Sequence, residues 1–482
     1  MKSSKLIQAL ASFSDKEFKK FEKYAMQFFN KNEKMLSFIE FIGFHFPDFK
    51  EEEISKLNAY KYVFQNDDFE DVRVRELMAA LNKMLRDYIV LENIKAKDFY
   101  YELELLKFYK DKELQSHYDL QLKSIKKILK KDKFKNIENF RRKYLLADIE
   151  NEHFTKKHIR ALDENVQLKL DNLDFLYFST KLKESCEMLN RQRLLNQQYN
   201  FNMFEEIETL IEKYLNSYLN HPTIVCYYEI YKLLKTKDDV LLLKNCLEVL
   251  NRNNSKFTDI ELKSLYDFPQ NYCIAQVNKG NSLFIEILFD LQKSILIESF
   301  NLIDGFISQI SYRNIVSIAL KLKKFDWSEK FIEDYKDKVA PEFRENSYNM
   351  NKANLYYSIK EYDKTIQLLN QVEFTDAYFA YYSKIILLKT YYAKKEFETL
   401  PYFITAFKLH LKRNNQVSSS FKKSTDLFLS YFKKILNIAE KIDFLDNKIT
   451  EKKLKNLIES IKKEKVVLNR VWLIDIVENL KN

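Results

Sequence analysis

Glycine is almost missing from this sequence, and its scarcity limits the folds that the chain can adopt. Only three glycines (Gly43, Gly280 and Gly305) and five prolines occur among 482 residues. Average usage would give roughly ten times as much glycine. Tight β-hairpins need glycine at their turns, and phosphate-binding loops need it where the backbone approaches an anion. The sequence therefore predicts an all-α protein and disfavours a nucleotide-binding fold.

The carboxyl half of the chain repeats itself at a step of 35 residues. The recurring positions are Tyr356-Tyr357 and Tyr391-Tyr392, then Trp327, Tyr362 and Phe397. Each of the last three follows a short charged stretch between two amphipathic helical patterns. A helix with one apolar stripe cannot bury that stripe alone, so it pairs with a second helix and the pair stacks on the next pair. The repeat therefore predicts a solenoid of stacked helical hairpins.

The middle copy of this repeat resembles the tetratricopeptide repeat, whose length is ~34 residues. Ala353 stands where that family has its small residue, Tyr356 where it has a tyrosine of the first helix, and Tyr362 where an aromatic ring packs between the helices. The resemblance implies a right-handed α-solenoid. The whole chain also looks like a widespread bacterial group of long helical repeat proteins, in the stretches FFNKNEKM, KLKESCEMLNRQR, NYCIAQVNKGN and LKTYYAKKEFETL. That second resemblance implies helical repeats and no particular activity.

The resemblance to the tetratricopeptide repeat also implies a place for a ligand. In that family the first helix of each pair lines a concave groove, and transferring the rule gives the groove positions Met350, Asn354, Tyr357, Ile385, Lys389 and Tyr392. Tyr357 and Tyr392 would offer two aromatic surfaces beside the Lys389 cation, which suits an amphipathic or extended peptide. The alternative is that both tyrosines only pack between helices.

Residues 1–95 are predicted to form a small N-terminal helical module. Ser14 and Glu17 have the spacing of a capping box, which predicts a helix that starts at Asp15. Three or four short helices followed by a longer one suit the end cap of a solenoid. They also suit a helix-turn-helix unit, although no base-reading positions can be identified.

The stretch 123–143 is strongly basic. It holds ten basic and two acidic side chains, and this excess is most of the net charge of +10 of the whole chain. The predicted basic patch consists of Lys123, Lys126, Lys127, Lys130 and Lys131 at helical spacing, with Arg141 and Arg142 beyond them. Such a face would attract phosphate groups. The alternative is a solvated face whose lysine stems cover apolar surface.

The sequence contains no visible catalytic or metal-binding motif. Its glycines form no phosphate-binding or nucleophile-elbow pattern, and His153 and His158 are five residues apart where a helical zinc pair needs four. Four scattered cysteines within helical patterns predict buried free thiols and a reducing compartment. No window approaches ~18 uncharged apolar residues, the length of a membrane span. We therefore expect a non-catalytic cytoplasmic protein without cofactor, metal or membrane span.

These observations predict four segments along the chain. They are the N-terminal helical module 1–95, a divergent array of helical hairpins 96–300, repeats of the tetratricopeptide type 301–414, and C-terminal capping helices 415–482. We expect a scaffold or adaptor that binds a protein or peptide on its concave face. The alternative is a nucleic-acid-associated regulator that uses the basic patch and the N-terminal module. A helical enzyme with a convergent site is a third hypothesis.

Overall fold

Local sequence signals set the starts of the helices. In the computed structural model the second helix begins at Asp15, as predicted. The Ser14 side chain accepts a hydrogen bond from the Glu17 N–H, and the Glu17 carboxylate accepts one from the Ser14 N–H at 2.8 Å. This arrangement is a capping box, which satisfies backbone donors that a helix start would otherwise leave unpaired. The prediction of a capping box is confirmed.

The structure describes residues 1–65, 68–157, 161–195, 198–214, 220–297, 302–303, 305–372, 377–413, 417, 419–440, 447–464 and 467–480. These residues form 23 α-helices, so the prediction of an all-α chain is confirmed. Their only strands are Leu302–Ile303 and Phe306–Ile307, which pair as an antiparallel hairpin. Gly305 lies in its turn with a φ of 84°, a conformation that favours glycine.

The described chain divides into two compact units. Unit 1 comprises Met1–Lys133 and Glu138–Asp174, and unit 2 comprises Phe134–Ile137 and Phe175–Asn482. The four predicted segments stay a prediction. Two of their boundaries, at 300/301 and at 414/415, lie outside the described residues.

Unit 1 is built around two clusters of buried apolar side chains. One joins the first five helices and includes Phe21, Phe38 and Leu81, and the other joins the next three and includes Phe99 and Ile125. The helices are α1 Lys5–Leu10, α2 Asp15–Phe28, α3 Glu33–Phe44, α4 Lys56–Phe64, α5 Asp71–Lys95, α6 Asp98–Asp111, α7 Gln115–Lys131 and α8 Ile137–Lys156. The next helix, α9 Glu164–Leu195, begins in unit 1 and ends in unit 2.

Unit 2 contains the remaining helices, and most of them contact the next helix along the chain. They are α10 Phe204–Lys213, α11 Pro222–Lys235, α12 Val240–Asn253, α13 Asp259–Asn278, α14 Leu283–Ile297, α15 Gln309–Lys321, α16 Phe325–Tyr335, α17 Pro341–Ser358, α18 Tyr362–Leu369, α19 Ala377–Ala393, α20 Leu400–Arg413, α21 Ser419–Ala439, α22 Asn447–Lys463 and α23 Arg470–Asn479. In addition, α15 contacts α17, and α17 contacts α19.

Three helix ends in unit 2 share one turn with a lysine in the left-handed position. Lys323, Lys360 and Lys395 end α15, α17 and α19 in the left-handed conformation, with φ values of 57°, 68° and 60°. In each turn the following N–H bonds back to the carbonyl five residues earlier, at distances of 3.0, 2.8 and 3.0 Å; the pairs are Lys324 with Ala319, Glu361 with Tyr356, and Glu396 with Tyr391. This pairing satisfies carbonyl groups that a helix end leaves open.

These turns correct the sequence register of the repeat. Two positions after each left-handed lysine stands an aromatic residue, and these residues are Phe325, Tyr362 and Phe397. The expectation that Trp327 is the equivalent of Tyr362 is therefore wrong by two positions. The first two turns are 37 residues apart and the last two are 35 apart, so counting back 35 residues from Tyr362 stops two residues short of the true equivalent, Phe325.

A buried hydroxyl supports the corrected register. Ser328 and Thr365 each lie five positions after the left-handed lysine, and each is fully buried. Their hydroxyl groups donate to the carbonyls of Lys324 at 2.8 Å and Glu361 at 3.0 Å. The first turns of α16 and α18 are thus built alike.

Candidate functional site

The predicted groove positions on α17 differ in how much of each side chain solvent reaches. Met350 is only 2% exposed, so its side chain belongs to the core in this conformation. Asn354 and Tyr357 are half-buried. Burial raises the pKa of the Tyr357 hydroxyl to about 12, and the Trp472 indole beside it opposes this shift. Tyr357 therefore lies next to α23.

The predicted groove positions on α19 follow the same pattern. Ile385 is 3% exposed and packs in the core, whereas Lys389 and Tyr392 are half-buried. The Lys389 amine donates to Asn469 Oδ1 at 2.8 Å and lies 5.0 Å from the ring centroid of Trp472. The Tyr392 ring meets the Trp472 ring edge-on, with centroids 5.9 Å apart. Both residues therefore contact the region where α23 begins.

Tyr357, Lys389 and Tyr392 thus converge on Trp472, and we call these four residues the tryptophan cluster. Aromatic side chains of α21 complete its surroundings, with the ring centroids of Phe428 and Phe432 at 6.1 and 5.6 Å from that of Trp472. Sequence reasoning placed the first three residues together but gave no sign that Trp472 would meet them. The segment that carries Trp472 is more than 75 residues away along the chain.

Lys389 is the electrostatically unusual member of the tryptophan cluster. Burial and, to a smaller extent, the positive charge of Lys321 lower its pKa to about 7, and Asp475 opposes the shift. The surrounding protein also lowers the pKa of Lys321 by desolvation, although its side chain is in contact with solvent. A lysine amine with such a pKa is partly neutral near pH 7 and can accept as well as donate a hydrogen bond.

A second feature of unit 2 is a cleft among α13, α14 and α15 with a volume of about 200 Å³, which we call the amide cleft. It is lined by Lys263, Tyr266, Asp267, Gln270, Asn271, Ile274, Gln292, Ile295, Ile310, Ser311, Asn314 and Ile315. Side-chain amides are over-represented in this set. Sequence analysis missed the cleft, although Asp267, Gln270 and Asn271 have the spacing of one helix face.

Two groups in the amide cleft have no close partner among the described residues. Gln292 is 4% exposed, and its Oε1 accepts no hydrogen bond from any described residue. No described cation lies within 4 Å of the Asp267 carboxylate. The Asp267 side chain is exposed, but desolvation by the surrounding protein raises its pKa. The positive charge of Lys263 opposes this shift, and the negative charge of Glu187 adds to it.

The predicted basic patch lies in unit 1, on α7 and α8. Lys126 pairs with Glu150 at 2.6 Å, Arg142 pairs with Glu138 at 3.1 Å, and Arg141 lies 3.9 Å from Glu138. No described carboxylate lies within 4 Å of the other four members, Lys123, Lys127, Lys130 and Lys131. Carboxylates of unit 1 therefore neutralise part of the patch, and the four lysines on α7 without a close carboxylate stay available to bind an anion.

The side chains that serve most often as nucleophiles or metal ligands are dispersed or buried. The four cysteines are free and buried, and burial raises the pKa of each thiol. The His153 ring stacks on Tyr118 with centroids 3.9 Å apart, whereas His158 lies outside the described residues. Within the described part of the chain, no three His, Cys, Asp or Glu side chains are grouped so that they could hold a metal ion.

Another depression, on unit 1, offers little enclosure. Its volume is about 390 Å³, but its lining residues, which lie between Lys19 and Asn30, belong to α2 and the residues just after it. A single helix cannot surround a ligand, so this depression is open surface.

No described helix is both long enough and apolar enough to cross a lipid bilayer. In comparison with known proteins, no protein-family model matches the chain, and neither a curated protein nor a solved structure is significantly similar to it.

Proposed function

We propose that this protein is a non-catalytic scaffold that binds a segment of another protein along the inner side of stacked helical hairpins. The observation that carries the proposal is the tryptophan cluster, in which α17 and α19 together hold a side chain from a distant helix. This side of α17 and α19 thus accommodates side chains of another segment, as helical grooves that bind peptides do. We infer that a partner segment lies beside α23, along α15, α17 and α19.

The shared turns support hairpin stacking in unit 2. Because α15, α17 and α19 end in the same way and α17 contacts both of the others, we propose that they are equivalent first helices of a tetratricopeptide-like array. Side chains at matching positions of such helices form one continuous surface. The four buried thiols suit a reducing compartment, and we place the protein in the cytoplasm on that ground.

Capture from a lysate of the native host tests this function. The full chain is immobilised, the lysate is treated with nuclease, and bound proteins are identified by mass spectrometry. We expect the double variant Asn354→Ala/Tyr357→Ala to retain about tenfold less of the main bound protein, because it removes one polar and one aromatic anchor from the inner side. The matched control is Lys364→Ala/Gln367→Ala on the exposed face of α18.

The control should capture as much as the wild type, and circular dichroism should show that both variants are folded. Equal capture by both double variants would remove Asn354 and Tyr357 from the binding surface. Loss with both variants would show that capture does not depend on the inner side.

The second candidate function is nucleic-acid association through unit 1. It is favoured by Lys123, Lys127, Lys130 and Lys131 on α7, which have no described carboxylate within 4 Å. Four cations along about 12 Å of helix have the spacing needed to meet several phosphates. The N-terminal helices would then belong to a regulator that binds nucleic acid.

Salt-dependent retention on duplex DNA or RNA tests this alternative. If it is correct, the triple variant Lys127→Glu/Lys130→Glu/Lys131→Glu should abolish retention at low salt, since it reverses three charges that phosphate would neutralise. Lys126→Gln is the matched control, because Lys126 already pairs with Glu150. Absence of retention by the wild type at low salt would end this alternative.

A further inference from the structure

The amide cleft contains an acceptor that needs a donor. Gln292 is almost fully buried, and its Oε1 has no described hydrogen-bond partner. An amide oxygen in this situation loses the hydrogen bond that it makes to water in the unfolded chain. If the Gln292 side chain turns its Oε1 towards the cleft, a ligand N–H group there would restore that bond. Peptide backbones carry such a group at nearly every residue.

The same cleft contains a carboxylate that forms no close ion pair with any described residue. Asp267 is the only carboxylate among the described lining residues, and no described cation lies within 4 Å of it. Its side chain is exposed, but the surrounding protein raises its pKa, so its charge is solvated less well than at an open surface; Lys263, which also lines the cleft, opposes this shift. A lysine or arginine side chain of a ligand would supply the missing charge, because a cation close to a partly desolvated carboxylate is attracted strongly.

The size and walls of the cleft restrict the ligand further. A volume of about 200 Å³ is smaller than a typical pocket for a cofactor or drug-sized molecule, but it suits one or two residues of a peptide. Ile274, Ile295, Ile310 and Ile315 give it apolar walls, against which the methylene stem of a basic side chain can lie. Gln270, Asn271 and Asn314 can both donate to and accept from a peptide backbone.

We propose that the amide cleft binds an extended, basic peptide segment of a partner protein, with a backbone N–H of the segment donating to Gln292 Oε1 and its lysine or arginine paired with Asp267. This inference rests on the proposed function, because it names the chemistry of the segment that the scaffold binds. The cleft and the tryptophan cluster are then two separate contact points on unit 2.

Selection of short random peptides displayed on phage, against the immobilised full chain, tests the inference. Enriched peptides should be rich in lysine or arginine beside apolar residues. For the tightest synthetic peptide, Asp267→Asn should weaken binding about tenfold or more, because the cation loses its counter-charge. Gln292→Met should weaken binding to a similar degree, while the midpoint of thermal unfolding rises because an unpaired buried oxygen is removed.

Gln276→Met is the matched control. Gln276 is 1% exposed, both of its side-chain polar atoms lack described partners, and it does not line the cleft. Its replacement should raise the thermal midpoint in the same way and leave peptide affinity unchanged. If the Gln292 variant folds poorly, Asp267→Asn still tests the inference, because it changes only an exposed side chain.

The outcomes separate this inference from the proposed function. Peptides that bind Asp267→Asn and Gln292→Met as tightly as the wild type, but lose affinity for Asn354→Ala/Tyr357→Ala, would overturn the inference and leave the proposed function standing. Enriched peptides that are acidic or uncharged would also overturn the inference. Failure to enrich any peptide would count against both.

Discussion

Replacing Trp472 by alanine is expected to destabilise unit 2 by about 3 kcal/mol, which lies at the lower end of the range for truncating a large aromatic side chain in a core. The lower end applies because Trp472 is half-buried. Its ring packs against Tyr392, Phe428 and Phe432, and it also covers the Lys389 amine. Loss of the ring leaves a cavity between α19, α21 and α23. Urea unfolding of the full chain measures the effect.

Val471→Ala is the matched control for this prediction. Val471 is the preceding residue on α23, and its side chain is exposed, so its truncation should change the free energy of unfolding by less than about 0.5 kcal/mol. Hydrogen exchange of backbone amides should accelerate in α23 for the Trp472 variant alone. If both variants unfold at the wild-type urea concentration, Trp472 is not packed as described.

The second large effect is a dependence of stability on pH that arises from Lys389. Its pKa is about 7 in the folded protein, whereas a lysine in an unfolded chain has a pKa of about 10.4. Between these values the unfolded state binds a proton that the folded state does not, so the free energy of unfolding rises with pH from about 7 to about 10. Below pH 7 both states are protonated, and this contribution stays at its low value.

The full difference between the two pKa values corresponds to more than 4 kcal/mol, at 1.36 kcal/mol for each pKa unit. Because Lys389 is half-buried and not sealed from solvent, we expect about 2 kcal/mol. Lys389→Met should remove this part of the pH dependence, and Lys395→Met, at an exposed position of the neighbouring turn, should keep it. Urea unfolding at pH 6.5, 8 and 9.5 compares the three proteins. Parallel pH profiles for wild type and Lys389→Met would contradict the account.

Sequence reasoning succeeded where the determining contacts are local. Ser14 and Glu17 are three residues apart, and their capping box follows from the geometry of one helix turn. The start of α2 could therefore be read from the sequence directly. The apolar stripes of the helices are local in the same sense, and the scarcity of glycine predicted the all-α fold.

Sequence reasoning failed where the determining contacts join distant segments. Nothing in the residues around Lys389 indicates that Asn469 and Trp472 will lie against it, because the connection between them is set by how the last helices pack. The amide cleft was missed for the same reason, since Asp267 and Gln292 come from different helices. The Trp327 register was wrong because two extra residues between α15 and α17 do not disturb either helix pattern.

Hydrogen exchange of the full chain, with and without the tightest peptide from the display selection, tests the central claim most directly. We expect slower exchange in α13, α14 and α15, extending to α17 and α19, and unchanged exchange in α1 to α8. Protection confined to α7, or no protection in any helix of unit 2, would contradict a peptide-binding inner surface on this scaffold.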